Sequence, residues 1–269
     1  MPILLTFMVL AACALSYRIW QKQKLRQRLL KASLSDSERN IVVEQVPLIR
    51  RLPPELTAKL EGKIRLFLHQ VDISGCNGLE VTDGIRLSIA AQACLLIVNS
   101  DDWYKNLRTI LVYPSAFKSI TTTHDGFVVQ QKEVIRYGES WSRGPVILSW
   151  EHSQRGAENE YDGHNVVLHE FAHQLDDLSG NTNGVPLLKK NQSFAQWERV
   201  FLTSYERHLQ NVEQGRKTLL DAYGAENHQE FFAVAVEVFF EKPAQLQKDE
   251  PEFYAQIAEL LKLNPAQWS

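Results

Sequence analysis

The sequence predicts an α+β domain, mainly helical with a small mixed sheet, preceded by an N-terminal membrane-anchor helix. Three observations carry that expectation. Apolar residues recur at three- and four-residue intervals, as in Leu56, Leu60, Ile64, Phe67 and Leu68, or Phe194, Trp197, Phe201, Tyr205 and Leu209. Between such stretches lie a few short aliphatic runs bounded by Pro and Gly. Near the middle, an aliphatic helical segment contains H-E-x-x-H as His169-Glu170-Phe171-Ala172-His173. With 269 residues, 44% of them hydrophobic, the chain can bury a real core. A net charge of −3 leaves no basic footprint for nucleic acid. The three cysteines, Cys13, Cys76 and Cys94, are widely spaced and form no C-x-x-C. They argue against a disulfide framework and a cysteine zinc site, and they fit a reducing compartment.

Residues 1–17 carry no charged side chain, and residues 3–15 are nearly all apolar, broken by Thr6. A basic cluster follows: Arg18, Lys22, Lys24, Arg26, Arg28 and Lys31. An uncharged stretch of that size sits at the short end of the roughly 17–25 residues that span a bilayer. A secretory signal carries its positive charges before the apolar run, whereas here they follow it. The positive-inside rule then keeps them cytoplasmic. Residues 1–20 are therefore expected to anchor the chain in the inner membrane by a single pass, with the catalytic domain facing the cytoplasm. The alternative is a cytoplasmic protein whose first helix docks without spanning. Leu10-Ala11-Ala12-Cys13 looks like a lipobox but lacks a basic region before it.

Residues 21–50 read as a basic stem and linker, with the alternating stretch 41–52 leading to Pro53-Pro54. Residues 51–269 form the main domain. Helical spacing covers 54–71, and residues 73–78 make a turn. Thr82-Asp83 suits the cap of a helix over 84–97, where Ala90, Ala91 and Ala93 allow close packing and Cys94 is a core thiol. Residues 109–113 form a strand. Residues 126–129 and 133–137 form a hairpin or two short strands, and 144–150 form another strand. Residues 151–163 read as a polar loop, and Asn165 or Asp162 caps the helix carrying the motif. That helix ends near Leu178, before the turn at 179–184. Further helices are expected at 193–213, 230–241 (stopped by Pro243) and 251–263.

On a helix, residues i and i+4 share a face, so His169 and His173 can present two nitrogens to one ion. Glu170 lies about 100° further round. That suits a carboxylate beside the water a metal activates better than a third ligand. The pattern predicts a zinc-dependent hydrolase of peptide bonds with one Zn2+ per chain. A catalytic zinc site usually takes three protein ligands. A metzincin would need Gly at 176 and His at 179, and this chain has Asp176 and Ser179. A glutamate on a later helix is the alternative. Glu230 and Glu237 lie seven residues apart on one face of a Phe-rich helix, where an inward acid needs a partner. Asp221 and Glu226 are weaker candidates. Asp176 shares a face with His169 and is expected to orient a ligand or a turn. Ser149 and Trp150, with Leu148, are expected to form an edge strand that binds peptide by strand addition. His124, His152, His164, His208 and His228 read as solvent-exposed.

The stretch from His169 to Asp176, followed by Tyr223 and Glu230-Phe231-Phe232-Ala233-Val234, resembles the Mlc titration factor A family of zinc metallopeptidases. Val81-Thr82-Asp83, Ala90-Ala91-Gln92-Ala93-Cys94, Leu148-Ser149-Trp150 and Asp162-Gly163-His164-Asn165 are similar to its other motifs, in order. The resemblance spans roughly residues 50–265 and leaves out the N-terminal segment. It implies a zincin-like metallopeptidase domain with a gluzincin-type site. Glu230 is then the third ligand beside His169 and His173, and Tyr223 stabilises the oxyanion. Glu170 takes the water proton and later delivers it to the leaving amine. The catalytic domain of anthrax lethal factor is similar at a greater distance, with the same order of H-E-x-x-H, Tyr and Glu. The family's activity on small peptides and aminopeptidase-type substrates implies a peptide or protein substrate. Its binding of a glucose-repressor protein implies a transcriptional regulator as partner. It also implies a second reading, in which the chain sequesters a transcriptional repressor and its peptidase activity is slow or vestigial.

Overall fold

Helical apolar spacing becomes helix through most of the chain, which a computed structural model describes over residues 2–125, 128–136, 138–140 and 144–268. The elements run α1 (Pro2–Leu30), α2 (Asp36–Gln45), α3 (Pro54–Gln70), β1 (Asp72–Gly75), α4 (Asp83–Leu95) and β2 (Thr109–Tyr113). Then come β3 (Phe117–Asp125), β4 (Val128–Arg136), β5 (Gly138–Ser140) and β6 (Val146–Ser149). The rest is helical: α5 (Trp150–Glu158), α6 (Val166–Asp176), α7 (Phe194–Glu213), α8 (His228–Glu241), α9 (Pro243–Asp249) and α10 (Pro251–Leu261).

The main sheet has the order β1-β2-β6-β5. β1, β2 and β6 are parallel, and β5 runs antiparallel to β6. β3 and β4 form a separate antiparallel pair. Helix α6 touches the sheet along β5 and β6 and packs against α8 on another side. Phe67, Tyr104 and Phe171 form one aromatic cluster behind α6, with Tyr104 and Phe171 centroids 5.1 Å apart. A second cluster lies across α8, where Phe231 stacks on Phe253 at 5.2 Å and Phe201 meets Phe231 edge-on at 5.3 Å. Phe231, Phe232, Phe239 and Phe240 are all buried, so α8 runs through the core rather than over it.

Several expectations change. Residues 41–52, read as a linker, instead hold the second half of α2 and a 3₁₀ turn, Pro47–Arg51. Val42, Val46, Leu48, Ile49 and Leu52 are buried there, and α2 packs on α4. Val42, Val46 and Ile49 follow a helical i, i+4, i+7 spacing, and a Ser35–Glu38 capping box starts the helix. The polar segment 151–163 holds α5, whose buried face is Ser153, Gly156 and Ala157. Those residues are too small to write a hydrophobic stripe. β6 stops at Ser149 and Trp150 opens α5. β6 lies between β2 and β5. The strand addition expected at Leu148-Ser149-Trp150 therefore lacks a free edge, because Val146, Ile147 and Leu148 are paired on both sides. Residues 128–129 and 133–136, expected to be two strands, instead lie on the single strand β4, whose partner is β3, and Gly126, Phe127 and Tyr137 lie outside the described residues.

The membrane placement is also overturned. Among the described residues, no helix is long and apolar enough to cross a membrane. The uncharged stretch ends at Tyr17, and α1 then carries five basic residues, Arg18, Lys22, Lys24, Arg26 and Arg28. The end of α1 docks on the domain. Leu29 and Leu30 pack on the core, and a Cβ at Gly62 would stand 2.0 Å from the Leu30 carbonyl oxygen. Glycine at position 62 is what lets α1 and α3 meet.

Candidate metal centre

Two capped helices position the site. Asn165 Oδ1 accepts the Leu168 N–H at 3.0 Å and starts α6. Asn227 Oδ1 accepts the N–H groups of Gln229 and Glu230, at 2.9 and 3.0 Å, and starts α8. These caps put His169 and His173 on successive turns of α6, and Glu230 in the first turn of α8 opposite them. His169 Nε2 lies 2.9 Å from Glu230 Oε2 and 3.2 Å from His173 Nε2, and His173 Nε2 lies 3.3 Å from the same oxygen. Nitrogen and oxygen ligands about 2.0–2.1 Å from a tetrahedral zinc stand roughly 3.3 Å from one another. The donor set therefore has the spacing of a metal cradle, and its atoms all fall within 4.8 Å.

The flanking charge fits the same conclusion. His169 Nδ1 donates to Glu237 Oε1 at 2.8 Å, which turns the Nε2 lone pair towards Glu230 and His173. The other Glu237 oxygen accepts the Asn165 N–H, so one carboxylate ties the histidine to the start of its own helix. Burial works against a charge on His169, but the hydrogen bonds with Glu230 and Glu237 outweigh it and hold its pKa well above the ordinary value. Burial likewise opposes the Glu230 carboxylate, and the bonds from His169 and His173 pull it below the usual range. Two carboxylates around two imidazoles favour positive charge at this point, as a proton or as a divalent cation. Glu170 is buried beside the cluster, against β5. Burial raises its pKa, while His169 and His173 pull the other way.

The remaining candidates lie around this centre. Tyr223 sits in a 3₁₀ turn (Ala222–Ala225), 45% exposed, with its ring centroid 6.0 Å from that of His169. Asp221 caps that turn, accepting the Tyr223 N–H at 2.7 Å. Asp176 is fully buried, and its Oδ2 accepts the Gly184 N–H at 2.6 Å. It holds the turn after α6 and is not one of the three grouped donors. Burial raises its carboxyl to about 6, against the pull of the Gly184, Asn183 and Val185 N–H groups. Ser149 Oγ lies 2.8 Å from His152 Nδ1, and Trp150 packs on the core. Neither joins the three donors. Glu226 does not join them either. His208, expected to be exposed, is buried against Phe231.

Two contacts had no reading from sequence. Glu241 is buried one turn beyond Glu237, and its Oε2 accepts the Gly163 N–H at 2.8 Å. Burial pushes its carboxyl up to about 8. Gln174 donates to Ser140 Oγ on β5 at 2.7 Å. The signal for Glu241 was present: an acid four residues after Glu237 on a helix otherwise apolar needs a buried partner. Nothing local points to the Gln174–Ser140 contact.

Residues 18–262 match the family described as glucose-regulated metallo-peptidase M90. The chain is 41% identical over 249 residues to the uncharacterized protein slr2042 of Synechocystis, covering 91% of this chain and 89% of the relative. It is 29% identical over 228 residues to Mlc titration factor A of Klebsiella pneumoniae, covering 82% and 84% of the two chains. Mlc titration factor A of Escherichia fergusonii is 28% identical over 225 residues with the same coverage. A match of that length, together with these relatives, places a metallopeptidase-type domain around the His169–His173–Glu230 cluster, and the chain belongs to the glucose-regulated metallo-peptidase M90 family, with Mlc titration factor A among its relatives.

Proposed function

We propose that the chain is a zinc-dependent peptidase of the gluzincin type, acting on peptide substrates with an aminopeptidase preference. The observation that carries this is the convergence of His169 Nε2, His173 Nε2 and Glu230 Oε2 beside the buried Glu170. When bound, zinc supplies a Lewis acid for the scissile carbonyl and a water acidic enough to attack near neutral pH. His169, His173 and Glu230 hold the ion, and Glu237 keeps the His169 proton on Nδ1. Glu170 takes a proton from the attacking water and returns it to the leaving amine. Burial makes its neutral form accessible between the two transfers. Tyr223, on its capped turn beside His169, donates a hydrogen bond from its hydroxyl to the oxyanion. The peptide backbone adds to β5, the one of the two outer strands of the described sheet that lies against Glu170.

Metal analysis and peptide cleavage test this reading together. His169→Ala and Glu230→Ala should lose bound zinc, and Glu170→Gln should keep zinc and lose turnover of a quenched fluorescent peptide library. Full zinc in Glu230→Ala would remove it as a ligand, and unchanged turnover in Glu170→Gln would remove Glu170 as the base. Acetylating the substrate amino terminus should abolish cleavage if the preference is for an aminopeptidase site. A second reading follows from the relatives' name, Mlc titration factor A: sequestration of a transcriptional repressor, with slow peptidase activity. Repressor binding that survives Glu170→Gln would separate that role from hydrolysis.

A further inference from the structure

Glu170 is confined from the sheet as well as from its own helix. A Cβ at Gly138, the first residue of β5, would stand 2.3 Å from Glu170 Oε1, 2.7 Å from Cγ and 2.8 Å from Cδ. Carbon atoms in ordinary contact stay about 3.5–4.0 Å apart. Gly138 is not among the glycines with positive φ, so its backbone admits any residue and only the space calls for glycine. β5 cannot simply back away. Gly138 is paired with Leu148 and Ser140 with Val146, and Ser140 Oγ also takes the Gln174 amide at 2.7 Å. Gln174 lies one turn beyond Glu170 on the same face of α6 and is 5% exposed, as is Glu170. The strand is therefore held by β6 at Gly138 and Ser140 and by α6 at Ser140, and a side chain at 138 displaces the carboxylate rather than the strand.

We propose that Gly138 is a positioning residue for Glu170: its bare backbone is the wall that keeps the carboxylate beside the three donor atoms. This rests on the reading of Glu170 as the proton carrier. The deciding experiment is a thermal-unfolding cycle on the full chain with Gly138→Ala, Glu170→Ala and the double variant. Alanine at 138 should lower Tm by roughly 3 °C or more beside Glu170. It should lower Tm much less, or raise it, beside Ala at 170. Equal shifts in the two backgrounds overturn the proposal. If Gly138→Ala does not fold, the double variant must fold, and its failure also overturns the proposal.

Activity gives the second readout. Gly138→Ala should keep wild-type zinc content and KM on the fluorescent peptides and lose about a hundredfold in kcat. Adding Glu170→Asp, one methylene shorter, should recover part of that loss. An undiminished kcat in Gly138→Ala, or a loss that Glu170→Asp deepens, counts against positioning. Wild-type turnover in Glu170→Gln would instead sink the underlying role of Glu170, leaving the unfolding cycle to decide the contact.

Discussion

His169 is bracketed by two glutamates of one helix. Glu230 and Glu237 are seven residues apart, about 10.5 Å along α8, so one reaches Nε2 and the other Nδ1 of the same ring. Helical spacing places both on the face that could supply a ligand and does not separate them, because their angular positions coincide; only the family resemblance singled out Glu230. The position of α6 along α8 assigns them. Glu237→Gln can offer an amide N–H to Nδ1 and push the imidazole proton to Nε2, where it competes with a cation. Zinc affinity measured by chelator competition should fall about 10–100-fold, with little change in Tm. An unchanged affinity would reduce Glu237 to a packing role. At this scale His169, Glu170 and His173 were legible because a helix fixes their relative angles locally.

α8 and the loop entering α6 are clamped together by Glu241, which accepts the Gly163 N–H, while Lys242 donates to the Asp162 carbonyl at 2.6 Å. Burial raises the Glu241 carboxyl from 4.5 to about 8. An unfolded chain releases that proton first, so between those values the folded state binds more protons and stability falls as pH rises. The effect is on the order of a few kcal/mol across the window. In chelator, Tm should decline from about pH 5 to pH 8, and Glu241→Gln should flatten the decline while keeping the Gly163 contact. An equal slope in the variant would assign the decline elsewhere. Among the elements, α3, α4, α7, α8 and α10 were readable because long apolar side chains mark their buried faces. α5 was not, since Ser153, Gly156 and Ala157 bury a face without marking it.

Across the molecule, α6 is the hub, touching β5 and β6 on one side and α8 on another. The N-terminal helix stands apart from this core: Leu10, Leu15, Tyr17, Ile19 and Trp20 are all exposed, and its contact with α3 comes at Leu29 and Leu30. Removing residues 1–20 should leave Tm within about 2 °C of the full chain. Removal through Leu34 should lower it clearly, because Leu34 is buried and its N–H donates to Glu61 at 3.0 Å. A similar loss in both truncations would mean that the exposed part of α1 supports the fold. By itself, the sequence determined the motif helix and the face shared by His169 and His173. These depend on bonds and hydrogen bonds within a turn or two of chain. The tertiary structure decided which glutamate meets which ring nitrogen, that β6 is interior, and that Gly138 abuts Glu170. Those contacts join segments as far as 61 and 68 residues apart, so helix packing and strand order set them, and no local pattern encodes either.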